Sequence, residues 1–145
     1  MIKTFRGLLA DGEQQRIRLS TKDGLKGYKI LKFQLMPQAP GQNDAEHVVQ
    51  AFSVERDTVP TSAPTIGFED PTLIAAALTG NSTNITQNIS QSIIIDNVTI
   101  NQDIFVTHTE ANGSNKVNYY IELEQVKLSV DEAAVATLKD MRGRE

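Results

Sequence analysis

Apolar and polar positions alternate along much of this chain, most clearly near its C-terminal end. There Val117, Tyr119, Ile121 and Leu123 share one face, and Glu122 and Glu124 share the other. A period of two marks a strand with one buried face. Upstream, residues 104–109 read Ile-Phe-Val-Thr-His-Thr, β-branched or aromatic at nearly every position. Asn112-Gly113-Ser114-Asn115 lies between the two runs and is a cluster of turn formers. The pattern predicts one hairpin from Ile104 to Leu128. A hairpin alone is marginal in water, so further strands are expected to cover its apolar face.

The same alternation predicts earlier strands. Ile2 to Leu9 reads as the first. Asp11-Gly12 follows as a hairpin turn, leading into Gln14 to Ser20 with Ile17 and Leu19 against Arg16 and Arg18. Tyr28 to Met36 places Leu31, Phe33 and Leu35 in one phase, and Pro37 and Pro40-Gly41 stop it. His47 to Glu55 forms a fourth strand, with Val48, Phe52 and Val54 in phase. Residues 57–64 hold two prolines and read as a loop.

Asp70-Pro71 resembles a helix start, an acidic cap followed by Pro at the first helical position, so residues 72–78 are expected to be a short helix ending at Gly80. A buried strand is the alternative there. Asn81 to Gln91 is polar and reads as a surface loop, and Ser92 to Ile95 as a short apolar strand. Ser129-Val130-Asp131-Glu132 is a capping-box pattern that opens a second helix, Asp131 to Arg142, with Val135, Leu138 and Met141 at helical spacing. The fold expected is all-β: an antiparallel sandwich or jelly roll with one or two short helices, one of them C-terminal.

Composition narrows the classes. The 145 residues suit a single domain spanning 1–145, and 39% hydrophobic residues supply a core. There is no Cys, which removes disulfides and thiolate chemistry. The opening Met-Ile-Lys-Thr-Phe-Arg-Gly has no apolar h-region, so a soluble protein without a signal peptide is expected. No run is long enough for a bilayer helix, so no membrane partner is expected. Five Asn-x-Ser/Thr triplets, at Asn81, Asn84, Asn88, Asn97 and Asn112, are read as chance in an Asn/Thr-rich region.

Net charge is −4, unevenly distributed. Residues 1–33 carry eight Lys/Arg against three acids, and residues 34–125 carry two against eleven. Such asymmetry can mark an electropositive docking surface, with Arg16, Arg18, Lys29 and Lys32 as its candidates, on two strands expected to be adjacent. The bland alternative is solvated charge on strand faces. Few aromatics interleave with these bases, which argues against nucleic acid.

No catalytic constellation stands out. Glu46 and His47 would point to opposite faces of a strand, and their spacing fits metal-ligand patterns poorly. His108 alternates with Thr107 and Thr109 as a satisfied strand residue would. There is no Gly-rich phosphate loop and no Gly-x-Ser-x-Gly elbow. No catalytic residue, cofactor or metal is therefore assigned, and an enzyme is not expected.

Several stretches together resemble short virion structural proteins of tailed phages of marine bacteria. They are residues 16–21 (Arg-Ile-Arg-Leu-Ser-Thr), 27–37 (Gly-Tyr-Lys-Ile-Leu-Lys-Phe-Gln-Leu-Met-Pro), 101–108 (Asn-Gln-Asp-Ile-Phe-Val-Thr-His), 117–124 (Val-Asn-Tyr-Tyr-Ile-Glu-Leu-Glu) and 136–140 (Ala-Thr-Leu-Lys-Asp). These are framework strands, so the resemblance carries over no active-site residue. It implies a structural role in the particle, made in the bacterial host cytoplasm, and the short length and uneven charge favour a capsid decoration protein. The implied partners are the major capsid protein or other virion proteins, with a homo-oligomer, favoured as a trimer held by Leu31, Phe33 and Leu35 or by the terminal helix. A tail, baseplate or head-appendage component touching host glycans is the second implication, and a cytoplasmic ligand-binding β-domain is the alternative from another class.

Overall fold

The computed structural model describes the backbone of residues 1–21, 24–40, 45–82, 85–95 and 99–142, and, among these, the side chains of all but 81–82, 85–88 and 139–142. Among the described residues eight strands, β1 (Ile2–Leu9), β2 (Gln14–Ile17), β3 (Lys26–Pro37), β4 (Glu46–Phe52), β5 (Leu73–Ser82), β6 (Ile85–Ile94), β7 (Ile104–Glu110) and β8 (Val117–Lys127), precede one helix, α1 (Val130–Arg142). The strands form two antiparallel sheets, ordered β1-β8-β3 and β2-β7-β4-β5-β6. The expected all-β sandwich is what the chain folds into.

The interleaving is that of a jelly roll. Chain-adjacent β1 and β2 lie in opposite sheets, as do β2 and β3, β3 and β4, and β7 and β8. In a four-over-four arrangement β6 would pair with β3. Here it stays with β5, its hairpin partner, leaving five strands over three. Between the sheets the core gathers Leu9, Ile17, Tyr28, Phe33, Val49, Ala75, Ile104, Val106, Ile121 and Leu123, all buried.

Several sequence expectations are corrected here. Residues 104–128 are not a hairpin. β7 pairs with β2 and β4, β8 pairs with β1 and β3, and residues 111–116 cross between the sheets. Asp11-Gly12 is likewise a crossing, although Gly12 has the positive φ of 77° that its turn demanded. A period of two reports which face is buried and is silent about the neighbour in the ladder.

The helix expected over residues 72–78 is the strand β5. Asp70 does cap, but its Oδ1 accepts from the Thr72 backbone N–H at 2.9 Å and the Thr72 hydroxyl at 2.6 Å, closing a turn into a strand. Ala75, Ala76 and Ala77 are buried on both faces of an inner strand, where small side chains fit, and tertiary pairing overrides helix propensity. Of the loop expected over residues 81–91, residues 81–82 end β5 and 85–91 form most of β6, and residues 83–84 lie outside the described ones.

The capping box is present. Glu132 N–H donates to Ser129 Oγ and Ser129 N–H to Glu132 Oε1, each at 3.2 Å. The helix phase differs from the apolar spacing. Ala133 and Ala136 are buried while Val135 and Leu138 are 54% and 52% exposed; the Met141 side chain lies outside the described ones. Asn101 sets this phase, its Nδ2 donating to Ala133 O at 3.1 Å, Thr137 Oγ1 at 2.9 Å and Gly24 O at 3.2 Å. The proposed apolar trimer face is not a surface either. Phe33 is in the core and Leu35 packs against it, and Leu31 stands out at a bulge between Ile30 and Lys32.

Candidate functional site

Polar chemistry concentrates where the chain crosses between sheets. β7 presents Ile104, Val106, His108 and Glu110 to the interior in its period of two, and β4 brings His47 beside them through the pairs Val49↔His108 and His47↔Glu110. His47 Nδ1 and His108 Nε2 are 2.9 Å apart, one donating to the other. Burial first, then the neighbouring His108, lowers the His47 pKa from 6.5 to about 4. Burial also lowers that of His108, against the Ala10 and Leu9 carbonyls, Asp11 and Glu110, which favour its charged form. The pair is a neutral bridge between β4 and β7.

Glu110, fully buried, organises the 111–116 crossing. Its Oε1 accepts from the backbone N–H of Glu46 at 3.1 Å and of Asn112 at 3.3 Å, and its Oε2 from Asn115 at 3.2 Å. Asp11 Oδ1 in turn accepts from Glu110 N–H at 2.8 Å. The Asp11-Gly12 crossing docks on the same strand, with Gly12 N–H donating to His108 O and His108 N–H to Glu13 O. These carboxylates substitute for missing ladder partners where the backbone leaves its sheet.

A third carboxylate, Asp103, tethers the stretch after β2. It accepts from the Leu19 and Ser20 backbone N–H groups at 2.8 and 2.9 Å and from Arg16 Nε at 2.6 Å. Burial pushes the Asp103 carboxyl up, but the Ser20, Leu19 and Arg16 donors more than offset it and hold the pKa at about 2. Glu110, Asp11 and Asp103 were not singled out from sequence. The signal available was acidic residues flanking an otherwise apolar strand.

The structure divides the four candidate docking bases. Arg16 lies on β2 and Arg18 just beyond it, while Lys29 and Lys32 lie on β3 in the other sheet, so the strands are not adjacent. Arg16 is paired with Asp103 and lies over the Phe105 ring, 5.7 Å from its centroid. Lys29 and Lys32 oppose Glu124 and Glu122 of β8, with Lys32 Nζ 3.9 Å from Glu122. Arg18 and Lys29 are exposed.

Two open concavities among the described residues bear on function. A cleft of about 900 Å³ runs between the sheets beneath β6, lined by Phe33 to Met36, Asn118 to Tyr120, Ala77, Leu78 and Ser90 to Ser92, with Arg6 as its one charged lining residue. A polar cavity of about 340 Å³ sits on the outer face of the five-stranded sheet under residues 58–70, with Gln50, Thr107 and Thr109 at its floor. Its polar groups largely hold one another: Gln50 donates to Thr65 O at 3.0 Å, Thr109 to Pro60 O at 2.7 Å and Arg56 to Asp70 at 3.2 Å.

No protein-family model and no curated protein matches the chain. Among solved structures, one from the work "Bacillus endospore appendages form a novel family of disulfide-linked pili" aligns over 88% of this chain and 89% of that one, at 10% identity and a TM-score of 0.36. A likeness at that level transfers neither fold detail nor role, and this chain has no cysteine.

Proposed function

We propose that the chain is a structural component of a tailed-phage particle, a capsid decoration protein bound to the outer shell as a symmetric oligomer. The observation that supports this most is where the buried polar chemistry goes. Glu110 and Asp103 are engaged in holding crossings between sheets and His47 and His108 in bridging two strands of one sheet, which leaves strand edges and charged strand faces as the working surface. Such surfaces suit assembly with other chains, and the phage resemblance of the framework strands names the setting. The major capsid protein is the expected partner.

Docking through basic residues now narrows to Arg18 and Lys29, since Arg16 is needed by Asp103. Electron microscopy of the particle with this chain's density located tests the reading. Density on the shell at high copy number is the expected result; density confined to the tail, or absence from the particle, overturns it. The second reading is a tail or appendage component that contacts host glycans, favoured by the polar cavity over Gln50 and Thr107. Glycan binding by the isolated protein, abolished by Gln50→Ala, would move the conclusion there.

A further inference from the structure

The two sheets end in four free strand edges: β1, β3, β2 and β6. Free edges offer unpaired N–H and C=O groups to any other strand, and proteins usually blunt them with charge, bulges or brevity. β1 carries Lys3 and Arg6. β2 is four residues long and carries Arg16. β3 carries Lys26, Lys29 and Lys32 and a bulge. β6 is ten residues long and uncharged; its register against β5 shifts between Ile85 and Ile89, and from Ile89 to Ile94 the pairing is regular, so that stretch has none of these devices. No charged residue occurs from Pro71 through Ile95, so the whole β5–β6 hairpin is neutral in a chain of net charge −4.

Exposure along β6 departs from the pattern of a sandwich strand. Ile89, Ser90, Gln91, Ser92 and Ile93 are all exposed, on both faces, with the open cleft between β6 and β3 on the inner side. Ile89 and Ile93 lie on the outer face at 46% and 40% exposure, and Ile66 and Phe68 beside them are 37% and 58% exposed.

We propose that β6 is a self-association edge: it pairs antiparallel with β6 of a second copy about a two-fold axis, joining two five-stranded sheets into one. An antiparallel edge pair of identical strands is self-complementary under a two-fold. The neutrality of the hairpin selects a second copy as the occupant. Two like-charged chains meet here without placing like charges opposite one another, whereas each of the other edges would bring bases against bases. The pairing satisfies the free backbone groups and gathers the outer apolar residues of both copies around the axis. This deepens the oligomer in the reading above and rests on it for that oligomer, with a two-fold unit in place of a threefold one.

The test is solution mass by light scattering or sedimentation across a wide range of concentration, with the full chain. The wild type is expected to pass from monomer to dimer. Ile89→Lys or Gln91→Lys should weaken the dimer on the order of tenfold or more, through like charges at the paired edge, while Gln34→Lys on β3 leaves it unchanged. Because the chain has no cysteine, a single introduced Cys crosslinks only between copies. Among Cys substitutions at residues 89–93, the one nearest the axis should form a disulfide dimer far faster than the rest. Circular dichroism confirms that each variant is folded. A wild type that stays monomeric, or a dimer indifferent to both lysines, overturns the edge pairing. Neither result bears on whether the chain is located in the particle, which microscopy decides separately.

Discussion

Along β7 all seven residues are buried; along β6 five successive residues are exposed, though both strands belong to the same sheet. The difference lies in what surrounds each strand. β7 has β2 and β4 in its ladder, the core on its inner face and residues 58–67 over its outer face. Where its ladder ends, buried side chains take over, with Glu110 and Asp11 accepting the backbone donors of the crossings. β6 has one partner and its free edge carries no charge. Buried carboxylates in this fold mark places where the backbone leaves a sheet, and the one long edge without any charged side chain is the edge left unguarded.

The sharpest way to break the comparison is at Glu110. Glu110→Leu removes a buried acceptor for three backbone N–H groups, and the loss should be on the order of 3–5 kcal/mol. Urea unfolding measures it. A loss below about half a kcal/mol would mean that water satisfies the crossing as well as the carboxylate does.

Acid should act on the same region, by about 2–3 kcal/mol at each of two groups. His47 is held neutral, with its pKa lowered from 6.5 to about 4, so its contribution is complete above pH 6.5 and is lost as pH falls towards 4. Asp103 is held ionised, with its pKa lowered from 3.8 to about 2, so its contribution is complete above 3.8 and disappears towards 2. Stability against pH should therefore fall in two stages. His47→Gln should shrink the upper stage, to which His108 also contributes, and leave the lower one; an upper stage unaffected by His47→Gln would remove the histidine pair from the account.

The terminal helix offers a smaller contrast of covered and open faces. Ala136 is buried and Leu138 is 52% exposed. Ala136→Asp should cost about 1–2 kcal/mol by burying an unpaired carboxylate on the covered face of the helix. Leu138→Asp should stay within roughly half a kcal/mol. Thermal unfolding of the two variants checks it, and the reverse order would restore the phase expected from the apolar spacing.

How far the sequence foretells this follows from the same physics. The strands β1, β3, β7 and β8 and the capping box at Ser129 are local signals, carried by alternation and by a four-residue pattern, and they were legible. The sheet partners of β7 and β8 were not, because Asn112-Gly113 is equally good chemistry for a hairpin and for a crossing. Ala75-Ala76-Ala77 favours a helix until β4 and β6 flank it. Glu110 could not be recognised as a cap for a crossing before the crossing was known. Only the end of β6, within Ser92 to Ile95, was legible, and the rest was hidden for the opposite reason: with both faces exposed from Ile89 to Ile93, it needs no alternation, and a strand without alternation reads as a polar loop.

The smallest effect is expected at that open strand, and its smallness is informative. At dilutions where the chain is monomeric, Gln91→Lys exchanges one exposed, uncharged side chain for another long polar one and removes no contact with the core. Its stability should match the wild type to within about half a kcal/mol, the range of surface substitutions away from caps, cores and buried polar groups. At high concentration the two should separate: linkage adds stability to whatever fraction is dimeric, so the wild-type melting temperature should rise with concentration while that of Gln91→Lys stays flat. Calorimetry of both proteins over the same concentrations makes the comparison. Parallel rises would place the association elsewhere on the surface, and a large loss in dilute Gln91→Lys would show that β6 is held by contacts within its own chain.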